Sequence, residues 1–324
     1  MKAAVVTEWG ETPRYTDFQD PQPRDGAVVA TVEASALTNL TRGLVSGKHY
    51  ASKELTLPTV PGVDGVARLD DGGRVYTGAL APFGMMAERT LISPQGAVDL
   101  PDGVDAVVAA AIPNPGLSAW MSLEHGAAVQ PGGNVLILGA TGVTGSMAVQ
   151  LAKSVFEAGR VVAAGRDVAR LDWLQTVGAD DAIALGDDDV QARISAMHAE
   201  RPFDAVLDYL WGPPAESVLT ALSESHPSAH YHLTRFVQIG SMAGPTLTLP
   251  AGILRGNGLV LSGIGIGSVP PEALARARGE ALPRLFDMVA RGDLQLRTLA
   301  RPLTEVEDAW TAAEPSGTRV VLKP

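Results

Sequence analysis

The stretch "NVLILGATGVTGSMAVQLAK", residues 134–153, decides the fold. Its first six residues, "NVLILG", carry no formal charge and are mostly apolar, and they read as a buried strand. A glycine-studded turn follows at once. An apolar period of four then begins at Val143, Met147, Leu151 and Val155, which is the spacing of one face of a helix. Strand, tight turn and helix in that order match Ala140-x-Gly142-x-x-Gly145, a variant of the dinucleotide-binding glycine turn. Gly142 would let the backbone approach a pyrophosphate, Gly145 would let helix and strand pack closely, and the free N–H groups at the helix start would hold the anion. Ala140 stands where the fingerprint's first glycine is expected. An ordinary strand–turn–helix with packing glycines is the plain alternative.

The same alternation continues downstream. The strands "RVVAAG", "DAIAL", "FDAVLDYL", "RFVQIG" and "LVLSGIGI" alternate with amphipathic helices near 143–156, 168–177, 188–199 and 214–223. Asp167 can cap the second of these and Gly178 can end it. Short apolar strands alternating with helices predict an α/β fold with a doubly wound parallel sheet. Upstream the pattern differs. Residues 1 to about 112 hold strand-like runs such as "AVVATVEASA" and a pair around an Asp-Gly-Gly turn, "GVARLDDGGRVYTGA", and lack long helical periods. A helical segment follows Ser268, and two β-like pieces, "LARPL" and "TRVVLKP", are expected to return to the first lobe. The expected division is a β-rich domain of residues 1–112 with 269–324, and a nucleotide-binding domain of residues 113–268.

Composition narrows the partners. The net charge of −11 over 324 residues, with no long basic run, argues against nucleic acid or an anionic membrane as the main partner. There is no cysteine, so disulfides and thiolate metal sites are excluded. No run approaches the length of a membrane span and the N-terminus is unlike a secretory signal, so the expectation is a cytoplasmic protein.

The second strand chooses the dinucleotide. An acid at its tip would bind the 2′-hydroxyl of NAD. "RVVAAG" ends instead at Gly165, followed by Arg166, with Arg170 one helical turn on. A guanidinium suits a 2′-phosphate, so NADPH is expected; a solvated surface arginine is the alternative.

With a β-rich lobe first, a late glycine turn and a returning tail, the chain resembles the medium-chain dehydrogenase/reductase superfamily, in its zinc-independent quinone oxidoreductase and enoyl reductase branch. The resemblance is carried by "LPTVPGVDGVARL", "AAAIPNPGLSAW", "VLILGATGVTGSMAVQLAK", "GAD" at 178–180, "DYLWG" at 208–212 and "VQIGSMAG" at 237–244. It implies a GroES-like catalytic lobe beside a Rossmann domain. It also implies hydride transfer from NADPH to a quinone or an α,β-unsaturated carbonyl, without a metal. Tyr50 in "SGKHY" matches a tyrosine of related enoyl reductases and is the candidate hydroxyl donor. Asn114 in "IPNPGLSAW" matches their Asn-Pro, and Asn39 lies near another, with its register open. Lys48 and His49 are candidates to line the same mouth, with a surface role as the alternative for His49. Cofactor contacts are expected along the glycine turn at Ala140, Thr141, Gly142, Val143, Thr144 and Gly145, at the second strand's tip at Gly165, Arg166 and Arg170, and, from the loops at later strand ends, near the nicotinamide at Trp211, Gly240 and Ser241, to which the resemblance adds Gly263 and Gly265.

Each has a structural alternative: Tyr50 as a half-buried ring, Asn114 as a turn starter, Asn39 as scaffold, and Asp64 as support in a tight turn. His226, His230 and His232 have ligand-like spacing but no further evident ligands. A homodimer joined at the last strand's edge is expected, as in relatives. Two other functions stay open: an NADPH-binding structural or redox-sensing protein with little turnover, and a zinc-free carbonyl or alcohol dehydrogenase. The short-chain reductases are set aside because none of the five tyrosines has a lysine four residues on.

Overall fold

The computed structural model describes residues 1–187, 189–224 and 231–324, without the side chains of Tyr50, Glu54 and Ile266. His226 and His230 therefore lie outside the described residues. Two compact units emerge: Met1–Asn114 with Gly279–Pro324, and Pro115–Arg278. Residues 269–278, expected to belong with the tail, fall in the second unit. There the helix Pro271–Arg276 buries Ala273, and Arg276 reaches Glu124 of the same unit at 4.0 Å.

The second unit is built on β1 (Asn134–Leu138), α1 (Val143–Ser154), β2 (Arg160–Gly165), α2 (Val168–Thr176), β3 (Asp181–Ala184), α3 (Val190–Glu200), β4 (Ala205–Asp208), α4 (Gly212–Glu224), β5 (Thr234–Gln238), α5 (Ala251–Gly256) and β6 (Leu259–Gly263). The six strands pair in parallel in the order β3-β2-β1-β4-β5-β6. This is the doubly wound order, with the switch point beside β1. Every residue of β1 and β4 is buried, as strands covered on both faces must be.

The core gathers Leu136, Leu138, Val162, Ile183, Phe203, Val206, Val218, Leu222 and Phe236. Asn134 is tolerated at the buried start of β1 because its side-chain amide donates to the carbonyls of Arg201 and Pro202, at 2.7 and 3.1 Å. Asp167 caps α2 by accepting from the Arg170 amide at 3.1 Å. Gly178, at φ +136°, follows the helix end.

In the first unit the strands Val28–Ala36, Asp64–Arg68 and Arg74–Gly78 pair antiparallel in succession. The two C-terminal strands, Arg297–Pro302 and Thr318–Lys323, pair in parallel with each other, and the latter pairs with Val28–Ala36. Asp64 opens a strand instead of sitting in a tight turn, and its carboxylate accepts from the Tyr76 hydroxyl at 2.6 Å. No described helix is long and apolar enough to cross a membrane.

Candidate dinucleotide site

The carboxyl ends of β1, β2, β4, β5 and β6 lie on one edge of a parallel sheet, and the loops that leave them build the site. The turn after β1 is shaped by glycine at three places, each for its own reason. Gly139 stands at φ +79°, a left-handed conformation that side chains resist. The amides of Gly139 and Ala140 both donate to the Ala164 carbonyl of β2 at 2.9 Å, and the Gly142 amide donates to the Gly139 carbonyl at 3.0 Å. The turn's conformational glycine is thus Gly139, one residue before the position where the sequence reading looked for it. Ala140 needs no glycine and is fully buried.

Gly145 is required by packing. A Cβ there would stand 2.3 Å from the Gly139 carbonyl oxygen and 2.8 Å from the Ala140 Cα. Gly142 is different: it is the N-cap of α1 at φ −74°, offers no capping side chain, and an added Cβ would meet only the Gly139 oxygen, at 3.2 Å. The first amides of α1 therefore have no side-chain acceptor from their cap, with the positive end of the helix dipole behind them. Thr141 is buried, while Val143 and Thr144 are half-buried. An anionic pyrophosphate fits this cradle.

Gly165 closes the turn from the β2 side. A Cβ there would fall 2.4 Å from Thr141 Cγ2, so glycine lets Thr141 lie over the strand's tip. Beyond it Arg166 is exposed, and no carboxylate ends the strand: Asp167 is engaged as the helix cap. Arg170 is placed differently from Arg166. It is buried, with its guanidinium 4.1 Å from the centroid of the Trp173 ring, so it is held within the domain packing.

Two more loops meet the glycine turn. After β4, Trp211 and Gly212 both adopt positive φ, +57° and +60°. A left-handed tryptophan costs of order 1–3 kcal/mol unless its surroundings hold it. The holder is Asp208, fully buried at the end of β4. Its Oδ1 accepts from the amides of Leu210 and Trp211, at 2.8 and 3.0 Å. Burial pushes the Asp208 carboxyl up to about 6, against the opposing pull of the Trp211 and Leu210 amides. Burial likewise raises the Tyr209 phenol, beside Ser122.

The loop after β5 is laced to this one. The amides of Ile239 and Gly240 donate to the Asp208 carbonyl at 2.8 and 3.1 Å, and the Ala243 amide donates to the Leu210 carbonyl at 2.8 Å. A Cβ on Gly240 would stand 2.6 Å from the Tyr209 oxygen, so packing alone demands this glycine. Ser241 is exposed. At β6, Gly263 lies opposite Gln238, and Gly265 has open space where a Cβ would be, its amide held by the Ser268 hydroxyl at 2.8 Å.

The structure thus gathers Ala140–Gly145, Gly165 and Arg166 at the switch point, with the Trp211 and Gly240 loops tied together alongside. Two contributors were missed by sequence reading. Gly139 passed as the end of a strand. Asp208 passed as part of a resemblance, although an acid inside the apolar run "FDAVLDYL" signals a buried carboxylate that needs donors.

The remaining candidates sit in the first unit. Asn39 opens the helix Asn39–Val45, whose cap is Thr38, and is exposed. Tyr50 opens the short turn Tyr50–Glu54, capped by His49, whose Nδ1 accepts from the Ala51 amide at 3.2 Å. The Ser52 hydroxyl donates to the Leu44 carbonyl at 2.8 Å and ties this turn to that helix. Asn114 is half-buried in the helix Pro113–Met121. Among the described residues no group of three His, Asp or Glu side chains is placed to hold a metal.

A doubly wound domain with an anion cradle at its switch point defines a dinucleotide-binding protein. Comparison narrows the class. The family model described as zinc-binding dehydrogenase matches residues 142–275. A probable NADPH-dependent quinone reductase of Emericella nidulans is 27% identical over the whole of both chains. A trans-enoyl reductase of Aspergillus terreus is 29% identical over 61% of this chain and 52% of its own length, so the chain spans about half of that relative. The quinone oxidoreductase of Thermus thermophilus, solved also with NADPH, superposes with a TM-score of 0.80 at 27% identity, covering all of both chains. These likenesses support the resemblance to the quinone oxidoreductase and enoyl reductase branch of the medium-chain dehydrogenase/reductase superfamily.

Proposed function

We propose that this protein is an NADPH-dependent, metal-free reductase of electron-poor conjugated carbonyls, either quinones or α,β-unsaturated carbonyls. The observation that carries the reading is the amino end of α1. It has no capping side chain, is reached directly from a buried parallel strand, and has an exposed guanidinium instead of a carboxylate beyond the tip of the neighbouring strand. The α1 amides hold the pyrophosphate and Arg166 holds the 2′-phosphate. Bound there, NADPH supplies a hydride, which adds to the β-carbon of an enone or to a quinone and leaves negative charge on the carbonyl oxygen.

Side chains singled out by the resemblance are the candidates to answer that charge: the Tyr50 hydroxyl as hydrogen-bond donor and proton source, and Asn114 and Asn39 to orient substrate or carboxamide. With no cysteine in the chain no thiolate can hold zinc, so polarisation falls to hydroxyl, amide and water. Quinone reduction draws support from the full-length likeness to a quinone reductase, and enone reduction from the shorter likeness to a trans-enoyl reductase.

The test is NADPH oxidation over a panel of quinones, enones and enoyl thioesters, with and without a strong chelator, in wild type and Tyr50→Phe. The expected result is chelator-insensitive turnover of one class. Tyr50→Phe should lose more than about tenfold on the preferred enone. NADPH binding without turnover of any substrate would favour the structural or redox-sensing alternative. An undiminished Tyr50→Phe enzyme would remove Tyr50 from the mechanism.

A further inference from the structure

Asp208 is a fully buried carboxylate, and the reading above gives it no task. Its geometry is specific. One oxygen, Oδ1, accepts two consecutive amides, Leu210 at 2.8 Å and Trp211 at 3.0 Å, while Oδ2 stands 3.3 Å from the Trp211 nitrogen. The residue so held, Trp211, is one of three non-glycine residues with positive φ among those described.

The turn it closes touches both neighbouring loops. Leu210 Cδ2 would lie 3.0 Å from a Cβ on Gly139, the left-handed glycine of the cradle, and the Leu210 carbonyl accepts from Ala243. The Asp208 carbonyl meanwhile holds the start of the loop after β5 through Ile239 and Gly240. One residue thereby fixes the loop after β4, braces the glycine turn and anchors the loop after β5.

We propose that Asp208 is a positioning residue of the dinucleotide site: through Oδ1 it clamps the turn 209–212 with Trp211 left-handed, and so holds the strand-end loops in the arrangement that receives NADPH. The proposal rests on the reading that the dinucleotide binds at the glycine turn. Since the two short bonds both end on Oδ1, an asparagine keeps them and an alanine loses them. The role is one of hydrogen-bond geometry, not of charge.

NADPH titration by calorimetry on wild type, Asp208→Asn, Asp208→Ala, Trp211→Gly and the Asp208→Ala/Trp211→Gly double variant tests it. Asp208→Ala should weaken NADPH by about tenfold or more, and Asp208→Asn should recover most of that loss. With glycine at 211 the left-handed conformation needs no clamp, so the same alanine substitution should weaken NADPH by less than about threefold.

The proposal is overturned if folded Asp208→Ala binds NADPH like wild type. It is equally overturned if asparagine fails to rescue, or if the alanine penalty is undiminished beside Trp211→Gly. Should Asp208→Ala not fold, amide hydrogen exchange in wild type and Asp208→Asn decides: protection of the Leu210 and Trp211 amides in both supports the clamp, and rapid exchange in wild type overturns it. A wild-type chain that binds no NADPH would sink the reading of the glycine turn, while amide exchange would still report whether Asp208 holds its loop.

Discussion

Substituting alanine at Gly145 and, separately, at Gly142 separates the two jobs the turn performs. At Gly145 the new methyl would sit 2.3 Å from the Gly139 oxygen, 2.8 Å from the Ala140 Cα and 2.9 Å from the Gly139 carbonyl carbon. All three are backbone atoms of the turn itself, so no side chain can rotate away and α1 must lift from β1. Overpacking of a core contact costs about 1–3 kcal/mol, and this case belongs at the upper end. For a unit of the size of Pro115–Arg278, about 3 kcal/mol corresponds to a fall of roughly 6–12 °C in melting temperature.

At Gly142 the methyl meets one oxygen at 3.2 Å, and the backbone, at φ −74°, already suits alanine. The melting temperature should stay within about 2 °C, because the lost unfolded-state entropy offsets a mild contact. The methyl would instead occupy the side from which a pyrophosphate approaches, weakening NADPH by about tenfold or more. Scanning calorimetry of the cofactor-free variants and NADPH titration of each give the two readouts. A Gly145→Ala protein that melts within a degree of wild type would refute the close approach of helix and strand. A Gly142→Ala protein that binds NADPH normally would refute the anion cradle.

Three further outcomes are expected. Because burial raises the Asp208 carboxyl from 3.8 to about 6, the folded state binds the proton more tightly than the unfolded. The stability this contributes is present in full below pH 4 and is lost as pH rises through 6, with a span of about 3 kcal/mol. Denaturant unfolding from pH 4 to 7 should show that decline in wild type and lack it in Asp208→Asn; equal slopes would refute the buried titration. Arg166→Ala should weaken NADPH by about 10- to 100-fold and leave NADH nearly unaffected, and equal weakening of the two in calorimetry would reject the phosphate contact. β6 ends the six-stranded sheet with Val260 39% exposed. Sedimentation should therefore find a dimer that Val260→Lys dissociates, and a monomeric wild type would count against pairing at this edge.

Much of the second unit was legible in the sequence because its signals are local. An uncharged five- or six-residue run fixes a buried strand whatever its neighbours are, and the four-residue apolar period after Val143 fixes a helix. Asp167 and Gly178 likewise carry their capping and terminating roles in their own chemistry, and the strands and helices formed where those patterns lie. The absence of an acid at the tip of "RVVAAG" was also a local fact.

Interactions between segments far apart in the chain were not legible. Nothing adjacent to Gly240 announces that a Cβ would strike the Tyr209 carbonyl, or that Thr141 needs a glycine at 165. Arg166 and Arg170 look alike in sequence, yet one is exposed and the other lies buried over Trp173. The sequence alone determined the order of strands and helices, the anionic balance, the lack of thiolate ligands and the place of the glycine turn. Only the tertiary structure decided that Gly139 carries the left-handed bend and that a buried Asp208 clamps Trp211. The physical reason is that propensity and periodicity act along the chain, whereas close approach, desolvation and shared hydrogen bonds exist only once distant strands lie side by side.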